Sequence, residues 1–302
     1  MLIIDIIWTI IVPIFIIIGI GALLDRFFDI DLPTLSKLNF YIFVPALIFI
    51  KILDSTLSVK EMSNIVLFSV TLVFVLFVLS IFVFKLKPYR DRQTILSMGT
   101  FFFNSGNFGI PFVVLAFGNR HISTIAMILM VQNFLTFTLG IWLLEKDGEG
   151  TGPVKIMVRF LKVPAILSII LALILRSLDL ELIATLKVPL NYLGNGLIPI
   201  ALLTLGVQLA RARLGSNLVP LSGSVLMRLV ISPLVAWALI PIFGITGELA
   251  TVLIVTAGLP VAVNTYILAA EYGKDEELAS QQVFWTTLLS TLTLAILIAV
   301  FR

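Results

Sequence analysis

The chain of 302 residues is 60% hydrophobic and 12% charged, contains no cysteine, and has a mean hydropathy of +1.15. These values exclude a water-soluble domain and place the chain in a lipid bilayer, and the lack of cysteine removes disulfide and thiol chemistry. The net charge of +3 says little by itself; the distribution of basic residues among the loops says more.

Apolar blocks fall at 2–24, 36–53, 63–84, 92–117, 121–144, 154–176, 188–210, 218–243, 248–271 and 279–301. Blocks of about 20 residues cross roughly 30 Å of hydrocarbon as helices. The alternating pattern of a transmembrane barrel is missing. The expected fold class is therefore all-α integral membrane, with ten transmembrane helices. The first block carries Asp5 and lacks both a basic leader and a small-residue cleavage signature before Asp25 and Arg26, so it reads as a retained span rather than a signal peptide. With the N-terminus outside, thirteen Lys and Arg fall in inner loops and six in outer ones, while Arg228 lies inside the eighth block. The positive-inside rule then puts both termini on the non-cytoplasmic side of the cell membrane. Connections of at most about 15 residues leave no room for a soluble catalytic domain.

The longest polar connection, "EKDGEGTGPVK" at 145–155, divides the chain into five blocks and five. The organisation read from it is a first repeat at 1–145, a short cytoplasmic linker at 146–153 and a second repeat at 154–302. An odd number of spans per half makes the second half enter from the opposite side, so the repeat is an inverted one. Prolines sit in matching blocks: Pro45 in "VPALIF" and Pro199 in "IPIALL", Pro111 in "FGIPFVV" and Pro260 in "AGLPVAV".

An interior proline deletes a backbone hydrogen bond, and the freed groups are tolerated only where they line a cavity. In "NSGNFGIP" the side chains of Asn104, Ser105 and Asn107 lie within a turn of Gly106, Gly109 and Pro111. In "TAGLPVAVNTY", Thr256, Gly258, Pro260, Asn264 and Thr265 do the same. If both breaks meet near the midplane, their half-helix N-termini offer partial positive charge to an anion and their C-terminal carbonyls could hold a cation. The breaks at Pro45 and Pro199 have mostly apolar neighbours and read as packing kinks, with Asn39, Tyr41 and Asn195 as the groups that would border a cavity.

Arg228, deep in "VLMRLVISP", must face a cavity, pair or snorkel. It could attract an organic anion, or it could cap carbonyls near a broken helix. Gln132, Asn133 and Gln208 read as interhelical hydrogen-bonding groups, and Glu271 as a solvated helix end. No carboxylate pair suits a proton relay. An enzyme is not expected: Ser105 would need a base in reach, and the one histidine, His121, starts the next block. No Walker sequence is present, and no nucleic-acid partner is expected.

The stretches at 16–49, "NSGNFGIPFVVLAFG" at 104–118, "LNYLGNGLIPIALLTLGVQL" at 190–209 and "AGLPVAVNTYILAAEYG" at 257–273 together resemble the auxin efflux carrier family, whose bacterial members are often labelled malate or malonate permeases. The resemblance implies a fold of the bile-acid sodium symporter type, with helices 4 and 9 broken and crossing at Pro111 and Pro260. It implies a scaffold of helices 1, 2, 6 and 7 that mediates a homodimer, and a crossover transport unit of helices 3–5 and 8–10 that moves as an elevator. Asn104, Asn107, Gly109 and Asn264 would surround the substrate carboxylate, in a site that also takes in Ser105, Pro111, Gly258, Pro260, Thr265 and Arg228. The implied activity is transport of a small organic anion, an auxin-like monocarboxylate or a malate- or malonate-like dicarboxylate, without a cofactor. Na⁺ is the alternative coupling ion, and a non-transporting receptor is the remote alternative. The short central loop departs from the long phosphorylated loop of plant members.

Overall fold

The computed structural model describes residues 3–145, 163–212 and 218–302. The linker at 146–153 and the start of the sixth block lie outside the described residues, as do Lys146, Lys155, Arg159, Lys162 and Arg213. The described chain is all-helical apart from one isolated β-bridge. Among the described residues seven helices are long and apolar enough to cross a membrane: α1 (Ile3–Phe28), α2 (Leu32–Leu53), α3 (Val59–Phe84), α6 (Asn119–Leu144), α8 (Ala184–Ala210), α9 (Val219–Phe243) and α12 (Glu276–Phe301). Between them lie the shorter α4 (Gln93–Phe101), α5 (Ser105–Phe117), α7 (Pro164–Ser177), α10 (Gly247–Ala257) and α11 (Val263–Glu271). The fourth and ninth apolar blocks are thus each two short helices with an extended gap between them.

Helix starts are chemically marked at the water-facing turns. Ser58 accepts from the Glu61 N–H at 3.2 Å while the Glu61 carboxylate accepts from the Ser58 N–H at 2.8 Å, a reciprocal cap on α3. Asp275 Oδ1 accepts from the Leu278 N–H at 3.0 Å at the start of α12.

Four prolines share a local solution. Pro13, Pro45, Pro111 and Pro233 each follow by two residues a π-helical turn, Ile7–Ile11, Asn39–Phe43, Ser105–Gly109 and Met227–Ile231. A proline ring clashes with the carbonyl four residues back, and widening the preceding turn relieves that clash. The expectation of matching kinks at Pro45 and Pro199 holds only in part: α2 widens before Pro45, whereas α8 stays α-helical through both Pro189 and Pro199.

Helix α8 packs against α1 and α2, and α7 against α2. The α1–α8 contact is close because two glycines face it: a Cβ on Gly206 would fall on the Ile18 carbonyl oxygen, and one on Gly21 on that of Leu203. Beyond the end of α8, Arg211 pairs with Asp25 through Nε at 2.9 Å, and this hydrogen bond holds its guanidinium above the usual arginine range. At the other end Lys187 pairs with Asp54 at 2.9 Å. A second set of contacts joins α3 to α4 and α6, α9 to α10, and α11 to α12.

Candidate functional site

The two interrupted blocks meet. Phe103 and Val261 form an antiparallel bridge, in which the Asn104 N–H donates to the Pro260 carbonyl at 2.8 Å and the Ala262 N–H to the Phe102 carbonyl at 3.1 Å. Each gap therefore satisfies backbone groups that the other frees, which is what allows an extended segment inside an apolar helix bundle. Side chains complete the pairing. Gln132 of α6 accepts from the Phe103 N–H at 3.2 Å and donates to the Phe101 carbonyl at 3.4 Å. Thr286 of α12 accepts from the Val261 N–H at 3.0 Å.

The ends of the four short helices are sorted by polarity. The carbonyls of Thr100, near the end of α4, and Ala257, at the end of α10, both accept from Arg228, the former at 2.6 Å. The guanidinium also donates to Ser232 Oγ and lies 4.9 Å from the Phe103 ring centroid. It is fully buried. Arg228 thus supplies positive charge where two helix dipoles end negative. The opposite ends, the N-termini of α5 and α11, border a cavity of about 300 Å³.

That cavity is lined by Asn104, Ser105, Gly106 and Asn107 of the first gap and its helix, and by Ala262, Val263 and Asn264 of the second. Asn39 and Tyr41 of α2, Gln132, Asn133 and Thr136 of α6, and Gln208 of α8 add polar groups; Lys37 and Glu271 add one charge of each sign. Phe40, Val44, Phe103, Phe137 and Leu268 supply apolar wall. Asn104 is the most constrained of these. Its Oδ1 accepts from the Asn107 N–H at 3.1 Å, its carbonyl accepts from the Gly109 N–H at 2.8 Å, and its Nδ2 is buried with no acceptor among the described residues. The N–H of Asn107 requires an oxygen opposite it, so the amide cannot be turned around, and Nδ2 is left as a donor.

Of the residues singled out from sequence, Asn104, Ser105, Asn107 and Asn264 come together in the cavity wall. Gly258 and Pro260 belong to the second gap, while Gly109 and Pro111 lie within α5, so the segments meet at Phe103 rather than at Pro111; none of the four lines the cavity. A Cβ on Gly109 would lie 2.8 Å from Leu259 Cδ1, and one on Gly258 2.5 Å from Leu297 Cδ1, so both glycines make room for packing. Thr265 is fully buried outside the lining. Arg228 also lies outside it and takes the carbonyl-capping alternative, because the two helix ends it serves are on the other side of the bridge. His121 pairs with Glu248 at 3.1 Å and does not share the cavity with Ser105. Gln132 makes the kind of helix contact read from sequence, to Phe101 and Phe103, and Glu271 is exposed as read; both also border the cavity, as do Asn133 and Gln208. The usable signal was their uncommon polarity within apolar blocks.

The profile of a family described as membrane transport proteins matches residues 6–298. An uncharacterized transporter of Methanocaldococcus jannaschii is 26% identical over 276 residues, covering 87% of each chain. A Rhizobium meliloti protein named "Putative malonate transporter" is 26% identical over 306 residues, covering 97% of this chain and 95% of its own. An uncharacterized transporter of Methanothermobacter thermautotrophicus is 29% identical over 203 residues, covering 66% of this chain and 65% of its own. With nearly the whole length matched and the resemblance to auxin efflux carriers pointing the same way, the chain belongs to the membrane transport protein family.

Proposed function

We propose that this protein is a secondary carrier that moves a small organic anion across the cell membrane by alternating access. The observation that carries the reading is the bridge between Phe103 and Val261, which brings Asn104, Asn107 and Asn264 from distant parts of the chain into one amide-lined cavity beside two helix N-termini. Such ends favour anions, and neutral amides can bind a carboxylate and release it again. The name of the Rhizobium relative agrees with a carboxylate cargo. In this reading the chain is a five-plus-five inverted repeat whose fourth and ninth spans cross at the bridge. The parallel roles of Gln132 and Thr286, each from the last helix of its half, support that symmetry.

The packed set α1, α2, α7 and α8 serves as scaffold and dimer contact, and the remaining helices form the unit that moves as an elevator. Both termini lie outside, so the cavity mouth at Lys37 and Glu271 faces the cytoplasm. The membrane potential, worth about 2.3 kcal/mol per charge per 100 mV, drives anion efflux. Sodium coupling is the second reading, but the helix-end carbonyls that would suit a cation are already met by Arg228. Purified protein in liposomes, loaded with labelled mono- or dicarboxylates, tests this. Flux should follow an imposed potential without sodium; flux that requires a sodium gradient and ignores potential would establish the second reading, and no flux of any acid would sink both.

A further inference from the structure

Three buried polar atoms of cavity-lining residues have no partner among the described residues. Asn104 offers Nδ2, since its oxygen is committed to the Asn107 N–H. The helices that complete the wall offer the reverse. Asn39 of α2 is 4% exposed and donates Nδ2 to Thr204 Oγ1 at 3.4 Å. The Thr204 hydroxyl hydrogen is itself given to the Ile200 carbonyl at 2.7 Å, so Oγ1 can only accept and the Asn39 amide is oriented. Its Oδ1 then has no donor among the described residues, and neither has Oε1 of Gln208 on α8.

A ligand that is only a carboxylate would match Asn104 and leave the Asn39 oxygen unpaired. We propose that the cavity selects an organic acid that carries an O–H or N–H donor in addition to its carboxylate, and that Asn39, its amide oriented by Thr204, is the specificity-determining residue that accepts from that donor, with the Gln208 amide, which no hydrogen bond among the described residues orients, able to turn its oxygen to the same donor. This rests on the carrier reading above. Buried acceptors left without a partner are what make a site reject the analogue lacking the donor.

The test is a set of binding isotherms at pH 7.5 on purified protein with pairs of acids differing by one donor: succinate and 2-hydroxysuccinate, propanoate and 2-hydroxypropanoate, phenylacetate and 4-hydroxyphenylacetate, and indene-3-acetate and indole-3-acetate. In at least one pair the donor-bearing acid should bind at least about tenfold more tightly. In Gln208→Met and Asn39→Leu that ratio should fall towards one, with melting temperature and elution profile confirming folded protein. Equal affinities within every pair would overturn the proposal, as would a ratio unchanged in both variants. If no acid of any pair binds the unmodified protein, the carrier reading fails and the specificity assignment with it.

Discussion

The Asn104 N–H donates to the Pro260 carbonyl at 2.8 Å, so two helix interruptions from opposite halves of the chain are hydrogen-bonded directly to each other. Everything proposed about the cavity depends on that join, and its parts can be tested separately.

Asn104→Asp keeps the oxygen that caps the Asn107 N–H and replaces the free donor by a second, negatively charged oxygen. The protein should fold, since an aspartate caps as well as an asparagine. Anion binding should weaken at least about tenfold through like-charge repulsion and the lost donor. Isothermal titration with the best-bound acid checks this; unchanged affinity would remove Asn104 from the site.

Arg228→Met leaves the Thr100 and Ala257 carbonyls and the Ser232 hydroxyl without the guanidinium. A loss on the order of 3 kcal/mol is expected, read as a fall in melting temperature in detergent. Arg228→Lys should recover only part of it, because an ammonium cannot reproduce the planar fork that serves both carbonyls. Equal stability of the methionine variant would show that the helix ends do not need the charge.

Gln132→Leu and Thr286→Val each orphan a backbone N–H, of Phe103 and Val261 respectively. Each should cost roughly 1–3 kcal/mol, the glutamine more because it also serves the Phe101 carbonyl. Transport should fall with it. Melting curves and liposome flux, measured on the same preparations, check both effects.

Gly206→Ala places a methyl group on the Ile18 carbonyl and should destabilise the α1–α8 contact by about 2 kcal/mol or more. Gly19→Ala, at the residue next to Ile18, meets nothing within 4 Å and should be neutral or stabilising by up to about 1 kcal/mol. Opposite signs in thermal melting are the expected result.

Asn107→Ala and Asn264→Ala, both half-buried in the cavity wall, should impair binding and flux while expression stays near normal. His121→Ala should leave flux intact, since its partner is Glu248 rather than Ser105. Liposome assays distinguish these outcomes; abolished flux in the histidine variant with normal folding would reopen the enzymatic reading.

Much of the fold was legible because hydrocarbon imposes a simple rule on sequence. Runs such as 63–84 have no way to satisfy their backbone except as helix, and the observed Val59–Phe84 follows directly. The breaks were legible for the converse reason: "NSGNFGIP" and "AGLPVAVN" put proline and glycine where a straight helix was otherwise demanded. Proline alone was less informative, since α8 tolerates Pro199 without a gap. A proline restricts its own turn, whereas opening a gap also needs a partner for the freed backbone.

From the sequence alone came the membrane class, the positions of the apolar blocks, the two interruptions and the amides beside them, because each follows from local composition and spacing. Only the tertiary structure decided which groups those interruptions meet. Arg228 could have faced a ligand or a carbonyl, and the burial of the Thr100 and Ala257 oxygens beside it determined which. Gln132, Asn39 and Gln208 stood out as polar groups in apolar blocks, but that they share one cavity depends on how helices far apart in the chain pack. Periodicity reports which face of a helix is polar; only packing reports what that face touches.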